Sequence, residues 1–303
     1  SPESWGWDVQ TLEEVKKSSE SFDTAAMVIV HKGYIVKKWG ESERLFPIHS
    51  VRKSFMNALY GMAFDRGLID LEETLKDLNI QDHQVLKAVE QKARVKHLLQ
   101  SRSCIYLPAL SETKKMKKRR PPRLSCRPGE KWHYNNWDFN VLGSIYFKKL
   151  GQDVFAAFKE KLADPLAMEH FSLKNTWFEK GPESIHPGYQ FKMSALDLAR
   201  FGLLYARWGR WKQKQMISKS WIEKSIRPYS PAGTKGAYGF LWWVEHQGRL
   251  LPHLKIQTHN FMARGLNGHF IYVDPYRDLV VVHRVNTLKT VSYTHLTLPT
   301  NGL

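Results

Sequence analysis

Two residue pairs in this 303-residue chain have the spacing S-x-x-K: Ser50/Lys53 and Ser111/Lys114. About one or two such matches arise by chance in a chain rich in serine and lysine, so the spacing alone decides nothing. Their surroundings separate them. Ser111 and Lys114 lie in a polar, basic stretch that leaves the lysine solvated, and a solvated amine with a pKa of about 10.4 is a poor base at neutral pH. Ser50 and Lys53 follow Pro47 and open an apolar run, "HSVRKSFMNALYG". In a helix, Lys53 lies one turn beyond Ser50 on the same face. Desolvation and the positive end of the helix dipole would both lower its pKa. The amine could then take the serine proton, giving a nucleophile that needs no histidine. The plain alternative is that Ser50 merely caps the helix.

Two further segments carry chemistry. In "HYNNWDFN", Tyr134 is the one tyrosine of twelve followed two residues later by asparagine, Asn136. A phenol beside a cationic lysine can shuttle a proton between nucleophile and leaving group. Alone, it reads as a buried aromatic at a helix entry. In "ARGLNGHFIYVDP", Gly265 and Gly268 lead into a strand pattern, where glycine permits close backbone approach to a ligand. Backbone N–H groups there, with that of Ser50, would suit a developing oxyanion. A plain β-turn is the competing reading. A Ser-His-Asp triad drawing on His49, His269 or His283 lacks the G-x-S-x-G elbow.

The elements that must position these groups are legible in outline. "AAMVIVHKGYIVKKWG" (25–40) reads as a hairpin turning at Gly33. From Ser50 to Arg66 the apolar residues Phe55, Leu59, Met62 and Ala63 have helical spacing. "LIDLEETL" after Gly67 reads as a turn and a second short helix, and 95–104 as a helix running into a loop. Helices are also expected over 137–151 and, with Ser194 as N-cap, over 194–209. Strand patterns return at 238–246, 268–275 and 278–286, the last two joined by the turn "DPYRD". Strands at both ends with helices between them predict an α+β fold: an antiparallel sheet built from both ends of the chain, flanked by helices, with a mostly helical insertion. A single domain of about 1–290 follows, with a sheet part near 1–60 and 211–290 and a helical part near 61–210. Residues 291–303 carry no Lys, Arg, Asp or Glu and read as a non-native tail.

Composition narrows the function classes. Hydrophobic residues make up 42% of the chain, enough for a large core, and eleven tryptophans argue against disorder. No uninterrupted apolar run of about 18 residues is present. The formal charge is +17, with one dense run, "KKMKKRRPPR" (Lys114–Arg123). A solvated basic loop is the simplest account, and a weak contact with an anionic surface is the sharper one. No zinc-finger, helix-turn-helix or RNP-type pattern points to nucleic acid. Cys104 and Cys126 flank the basic run without a C-x-x-C pair. Free thiols are the default, and a disulfide closing the loop is the alternative in an exported protein. Location is open: the chain begins at Ser1, and export to the periplasm or outside is one reading, with no signal peptide visible.

S-x-x-K, Y-x-N about 80 residues on, and a glycine-rich strand edge near the C-terminus, in that order, resemble the serine β-lactamase/penicillin-binding superfamily in its class C-like branch. That branch includes 6-aminohexanoate-dimer hydrolases and esterases. The similarity runs from about Thr24 to Asn286; "GLIDLEETL", "VKHLLQSRSC" and "DLARFGLLYARWG" also fit. It implies a β-lactamase-like fold with the active site between sheet and helical insertion. Ser50 would be the acylated nucleophile, Lys53 its general base and Tyr134 the proton relay. Asn136 would bind substrate or the lysine. The N–H groups of Ser50 and Leu266 would form the oxyanion hole, with Gly265 and His269 lining that edge. The substrate would be a small ester, amide, lactam or peptide, with neither metal nor cofactor. The alternative is a non-catalytic relative that binds cell-wall or peptide ligands. No K-T-G occurs in "NFMARGLNGH", which leans the expectation from lactam toward ester or amide chemistry, with Arg264 as a substitute charge for an anionic substrate group.

Overall fold

The computed structural model describes residues 2–287. The tail at 291–303 lies outside the described residues. Chain order runs α1 (Val9–Ser19), β1 (Thr24–His31), β2 (Tyr34–Gly40), β3 (Phe46–Pro47), α2 (Arg52–Phe64), α3 (Val95–Leu99), α4 (Lys114–Arg119), α5 (Asn136–Leu150) and α6 (Val154–Phe158). It continues through β4 (Thr176–Gly181), β5 (Ser184–Met193), α7 (Ala195–Ala206), β6 (Arg210–Trp211), β7 (Lys214–Gln215) and α8 (Lys219–Ser225). The chain then forms β8 (Ser230–Pro231), β9 (Ala237–Tyr238), β10 (Trp243–Val244), β11 (Phe261–Arg264), β12 (Phe270–Asp274) and β13 (Leu279–Val285).

Eight strands form one antiparallel sheet in the order β2-β1-β13-β12-β11-β10-β9-β8, joining both ends of the described chain as expected for α+β. The β1–β2 hairpin turns on Lys32 and Gly33, both at positive φ, the two-residue geometry that matches strand twist. The 3₁₀ turn His49–Val51 and α2 follow β3, which pairs with β5 outside this sheet, and run into the middle of the molecule. Every residue from Arg52 to Ala63 is buried, so α2 is enclosed on all faces, not amphipathic. Its Ser54 and Asn57 are matched. Ser54 Oγ donates to the Leu241 carbonyl, and Asn57 Nδ2 donates to Ser225 Oγ and the Phe240 carbonyl. Asn57 Oδ1 accepts from Tyr205 and Trp242.

α7 packs on β1, β12 and β13, although it falls within the stretch read as the helical part. A Cβ at Gly202 would stand 2.5 Å from Val280 Cγ1, so only glycine lets this helix lie so close to the sheet.

Several local expectations need correction. "LIDLEETL" forms no second helix: Asp70 accepts from Glu72 N, Asp77 accepts from Thr74 N and Oγ1, and these local bonds compete with helical ones. The strand expected over 238–246 splits into β9 and β10 around a turn that bonds onto α2, α3 and α8. β4 and β5 pair in the middle of the chain, where only helices were expected. The basic stretch begins as α4, with Thr113 Oγ1 accepting from Met116 N. Cys104 and Cys126 are joined in a disulfide with Cα atoms 5.7 Å apart, against the default of free thiols. Among the described residues, no helix is long and apolar enough to cross a membrane.

Candidate active site

The turn that carries Ser50 is tight. His49 adopts φ +50°, an uncommon conformation for a residue with a side chain, and the 3₁₀ turn continues directly into α2. Gly265, at the end of β11, presses on it: a Cβ there would lie 2.7 Å from the Ile48 carbonyl and 3.4 Å from Val51 Cγ2. Glycine at this point brings the sheet edge against the serine turn, where a side chain would hold them apart. Ser50 Oγ caps no helical N–H. It lies 2.8 Å from Lys53 Nζ.

The other side comes from the loop leading into α5. Ser101 fixes this loop: its Oγ donates to the His133 carbonyl and accepts from Asn135 N. Asn135 caps α5 by accepting from Trp137 N, and its amide donates to the Ile105 carbonyl and to Asp138. Tyr134, held between these anchors, places its hydroxyl 2.8 Å from Lys53 Nζ. The disulfide ties the segment before this loop to residue 104, beside Asp138's partner Ser103.

Lys53 is 2% exposed, with its ammonium over the rings of Tyr134 and Phe139, each 4.6 Å away. Burial first and the neighbouring Arg52 second hold its pKa well below the ordinary lysine value. Burial pushes Tyr134 up to about 12, against smaller opposing effects from Ser50 and Arg52. An amine held well below its ordinary basicity thus stands between an aliphatic hydroxyl and a phenol that keeps its proton. This order of basicity lets the amine accept from serine while the phenol passes a proton onward.

The remaining expected residues fall in different places. Leu266 is 48% exposed, in the turn after Gly265. Asn136 is buried; its Nδ2 donates to the Ser111 carbonyl at 2.6 Å, not to Lys53, and its Oδ1 has no hydrogen-bond partner. His269 is 1% exposed, accepts from Arg284 Nε at 3.0 Å and packs against His49 at 5.3 Å. Its pKa is pushed down to about 2, mainly by burial, so the ring is neutral. His49 bonds to Thr287 and His283 to Thr24 and Gly268, so among the described residues none of the three candidate histidines is bonded to Ser50. Ser111 bonds to Glu179 and Lys114 is exposed, so the second S-x-x-K pair is not a couple. Among the described residues, no group of three or more His, Cys, Asp or Glu is arranged to hold a metal ion.

Arg52 is missing from the sequence reading. It is buried, donates to the His49 carbonyl, lies over the ring of Tyr189, and leaves Nε and one terminal nitrogen unpartnered. An aromatic wall was also missed: Trp243 stacks on Tyr134 at 5.5 Å, with Tyr238 and Trp132 edge-on to it. Its signal was the aromatic density of "YGFLWWVEH", read there as strand propensity alone.

A search of the curated proteins finds no match. Among solved structures, the chain is similar to a protein from Bacillus anthracis described as a candidate 6-aminohexanoate-dimer hydrolase, at 20% identity and TM-score 0.68, covering 91% of this chain and 77% of that one. It is also similar to EstCE1, a hydrolase with promiscuous acyltransferase activity, at 14% identity and TM-score 0.67, covering 92% and 93%. A third is the octameric penicillin-binding protein homologue from Pyrococcus abyssi, at 20% identity and TM-score 0.68, covering 92% and 74%. These likenesses establish the fold. The family model described as Beta-lactamase matches residues 9–297, and the chain belongs to that family.

Proposed function

We propose that the protein is a serine hydrolase of the class C-like type that cleaves an ester or amide bond through an acyl-enzyme on Ser50. The observation that carries this reading is one buried amine, Lys53 Nζ, 2.8 Å from both Ser50 Oγ and Tyr134 OH. Ser50 Oγ attacks the carbonyl carbon, and its proton passes to Lys53 Nζ. The tetrahedral oxyanion is held by the N–H groups of Ser50 and Leu266. Tyr134 gives its proton to the leaving oxygen or nitrogen and is reprotonated by Lys53, so the scissile bond breaks without net charge transfer. Water then attacks the acyl group, its proton travels back through the same pair, and Ser50 is released. The similar structures named above include proteins described as a candidate 6-aminohexanoate-dimer hydrolase and as a hydrolase with acyltransferase activity, which supports ester and amide chemistry. The missing K-T-G weighs against lactams.

A panel of short-chain p-nitrophenyl esters, nitrocefin, D-Ala-D-Ala peptides and aminohexanoate oligomers, run beside Ser50→Ala, tests this. Turnover of esters or amides lost in Ser50→Ala is the expected result. Full activity in Ser50→Ala on every substrate turned over refutes the mechanism. Saturable cell-wall or peptide binding without acylation by any ester would favour the non-catalytic alternative.

A further inference from the structure

Arg284, on β13, is 0% exposed, yet among the described residues its side-chain partners are all neutral. Burial alone pushes its pKa down to about 9, so the guanidinium is still a cation at neutral pH. A buried charge without a counter-ion is costly unless hydrogen bonds replace its water. Here the bonds come from three separate segments. One terminal nitrogen donates to the Met193 carbonyl of β5 at 2.9 Å. The other donates to the Phe46 and Pro47 carbonyls of β3 at 2.9 and 3.1 Å. Nε donates to His269 Nδ1 at 3.0 Å. β3 leads through Ile48 into the turn that carries Ser50, and Ile48 N donates to the Phe191 carbonyl of β5 at 3.1 Å. On the glycine-rich edge, the His269 carbonyl accepts from Gly265 N at 2.7 Å, closing the turn that contains Leu266. One side chain thus grips the chain just before Ser50 and the chain just after Leu266. A planar guanidinium holds its donors at fixed angles, so the groups it binds keep a fixed spacing.

We propose that Arg284 is a positioning residue for the oxyanion hole: acting with His269, it sets the spacing between the N–H groups of Ser50 and Leu266. This rests on the hydrolase reading for the use of those N–H groups, but not for the coupling of the two segments. Donors already in place act most strongly on the tetrahedral state, and a displacement of roughly 1 Å can cost about 100-fold in rate. An interaction that matters chiefly in the transition state lowers kcat when lost and leaves KM little changed.

The test measures p-nitrophenyl ester hydrolysis per active site, with the active fraction titrated to completion by a fluorophosphonate so that a folding defect is divided out. His269→Phe removes the ring acceptor and should lower kcat by about ten-fold with KM little changed. His269→Asn, whose Oδ1 can accept from Arg284, should restore most of that loss. Arg284→Lys keeps the charge, but one ammonium cannot span β3, β5 and the His269 ring, so kcat should fall by about 10–100-fold. In each variant the affinity for an arylboronic acid, which forms a tetrahedral adduct on Ser50, should fall by the same factor as kcat/KM, a correspondence that lost packing alone would not produce. Should Arg284→Lys fail to fold, the two His269 variants carry the test. Hydrogen–deuterium exchange read by mass spectrometry needs no turnover. Peptides covering 46–51 and 261–269 should both exchange faster in His269→Phe and Arg284→Lys than in the wild type, and near the wild-type rate in His269→Asn. Faster exchange in both peptides where no ester is hydrolysed supports the coupling, and only the hydrolase reading then falls. Per-site kcat and boronate affinity unchanged in His269→Phe and Arg284→Lys, or faster exchange in one peptide alone, overturns the proposal and leaves Arg284 as a buried packing group.

Discussion

Replacing Lys53 by methionine should make the protein more stable and inactive. Lys53 is 2% exposed and has no carboxylate partner; its nearest charged neighbour is another cation, Arg52. Each pKa unit by which the fold holds the amine down costs about 1.4 kcal/mol of stability. Substituting buried ionic groups with apolar side chains of similar volume is often stabilising by about 1–4 kcal/mol. Against this stand the two hydrogen bonds to Ser50 and Tyr134, each worth about 0.5–1.5 kcal/mol, part of which water in the cleft can restore. A net gain of about 1–2 kcal/mol is expected, a rise in Tm of roughly 2–3 °C for a chain of this size. The pH dependence gives the sharper test. The folded pKa is depressed, so the penalty is full below it, shrinks as pH rises toward the unfolded value of about 10.4, and vanishes above that. The advantage of Lys53→Met over wild type, measured by urea titration, should therefore be largest near neutral pH and below, and decline as alkaline pH is approached. A variant less stable than wild type at pH 7, or an advantage that grows with pH, would refute the assignment of Lys53 as a desolvated amine.

Other consequences follow from the same packing. Arg52→Gln removes the cation beside Lys53, so the amine's pKa should rise and the acidic limb of kcat/KM move to higher pH, while Arg52→Lys keeps it in place; pH–rate profiles of the three proteins read this directly. Asn57→Ala strands buried partners on α8, on α7 and in the turn between β9 and β10, and should cost about 3–5 kcal/mol by denaturant titration. Reducing the Cys104–Cys126 bridge, whose cysteines are 22 residues apart, should lower stability by about 3 kcal/mol, seen as a reductant-dependent fall in Tm that Cys104→Ala abolishes.

The site was more legible in the sequence than the elements around it. Ser50 and Lys53 stood out because an apolar run follows them, and the run is apolar because α2 is buried. Tyr134 was visible through one asparagine two residues on, yet that asparagine bonds to Ser111, a distant segment that no local pattern could bring to it. Arg52 escaped notice because a cation in a helix's first turn normally reads as solvated; the enclosure of α2 is a tertiary fact. The strand expected at 238–246 failed for a related reason: its β propensity is real, but Ser54 and Leu99 capture the backbone of Leu241 and break the ladder. β4 and β5 were missed because exposed Trp177, Phe178 and Ile185 blur the alternation that would have marked them. His269 drew attention by its place next to the glycine-rich edge, but sequence cannot tell a cleft-facing histidine from one buried on an arginine.

The account turns on Ser50 becoming covalently acylated with Lys53 as its base. Mass spectrometry of the protein quenched at short times with a p-nitrophenyl ester, followed by peptide mapping, measures that step. An acyl adduct on the peptide containing Ser50, absent in Ser50→Ala and formed far more slowly in Lys53→Met, is the expected result. An adduct on another residue, or acylation of Ser50 at an undiminished rate in Lys53→Met, would contradict it.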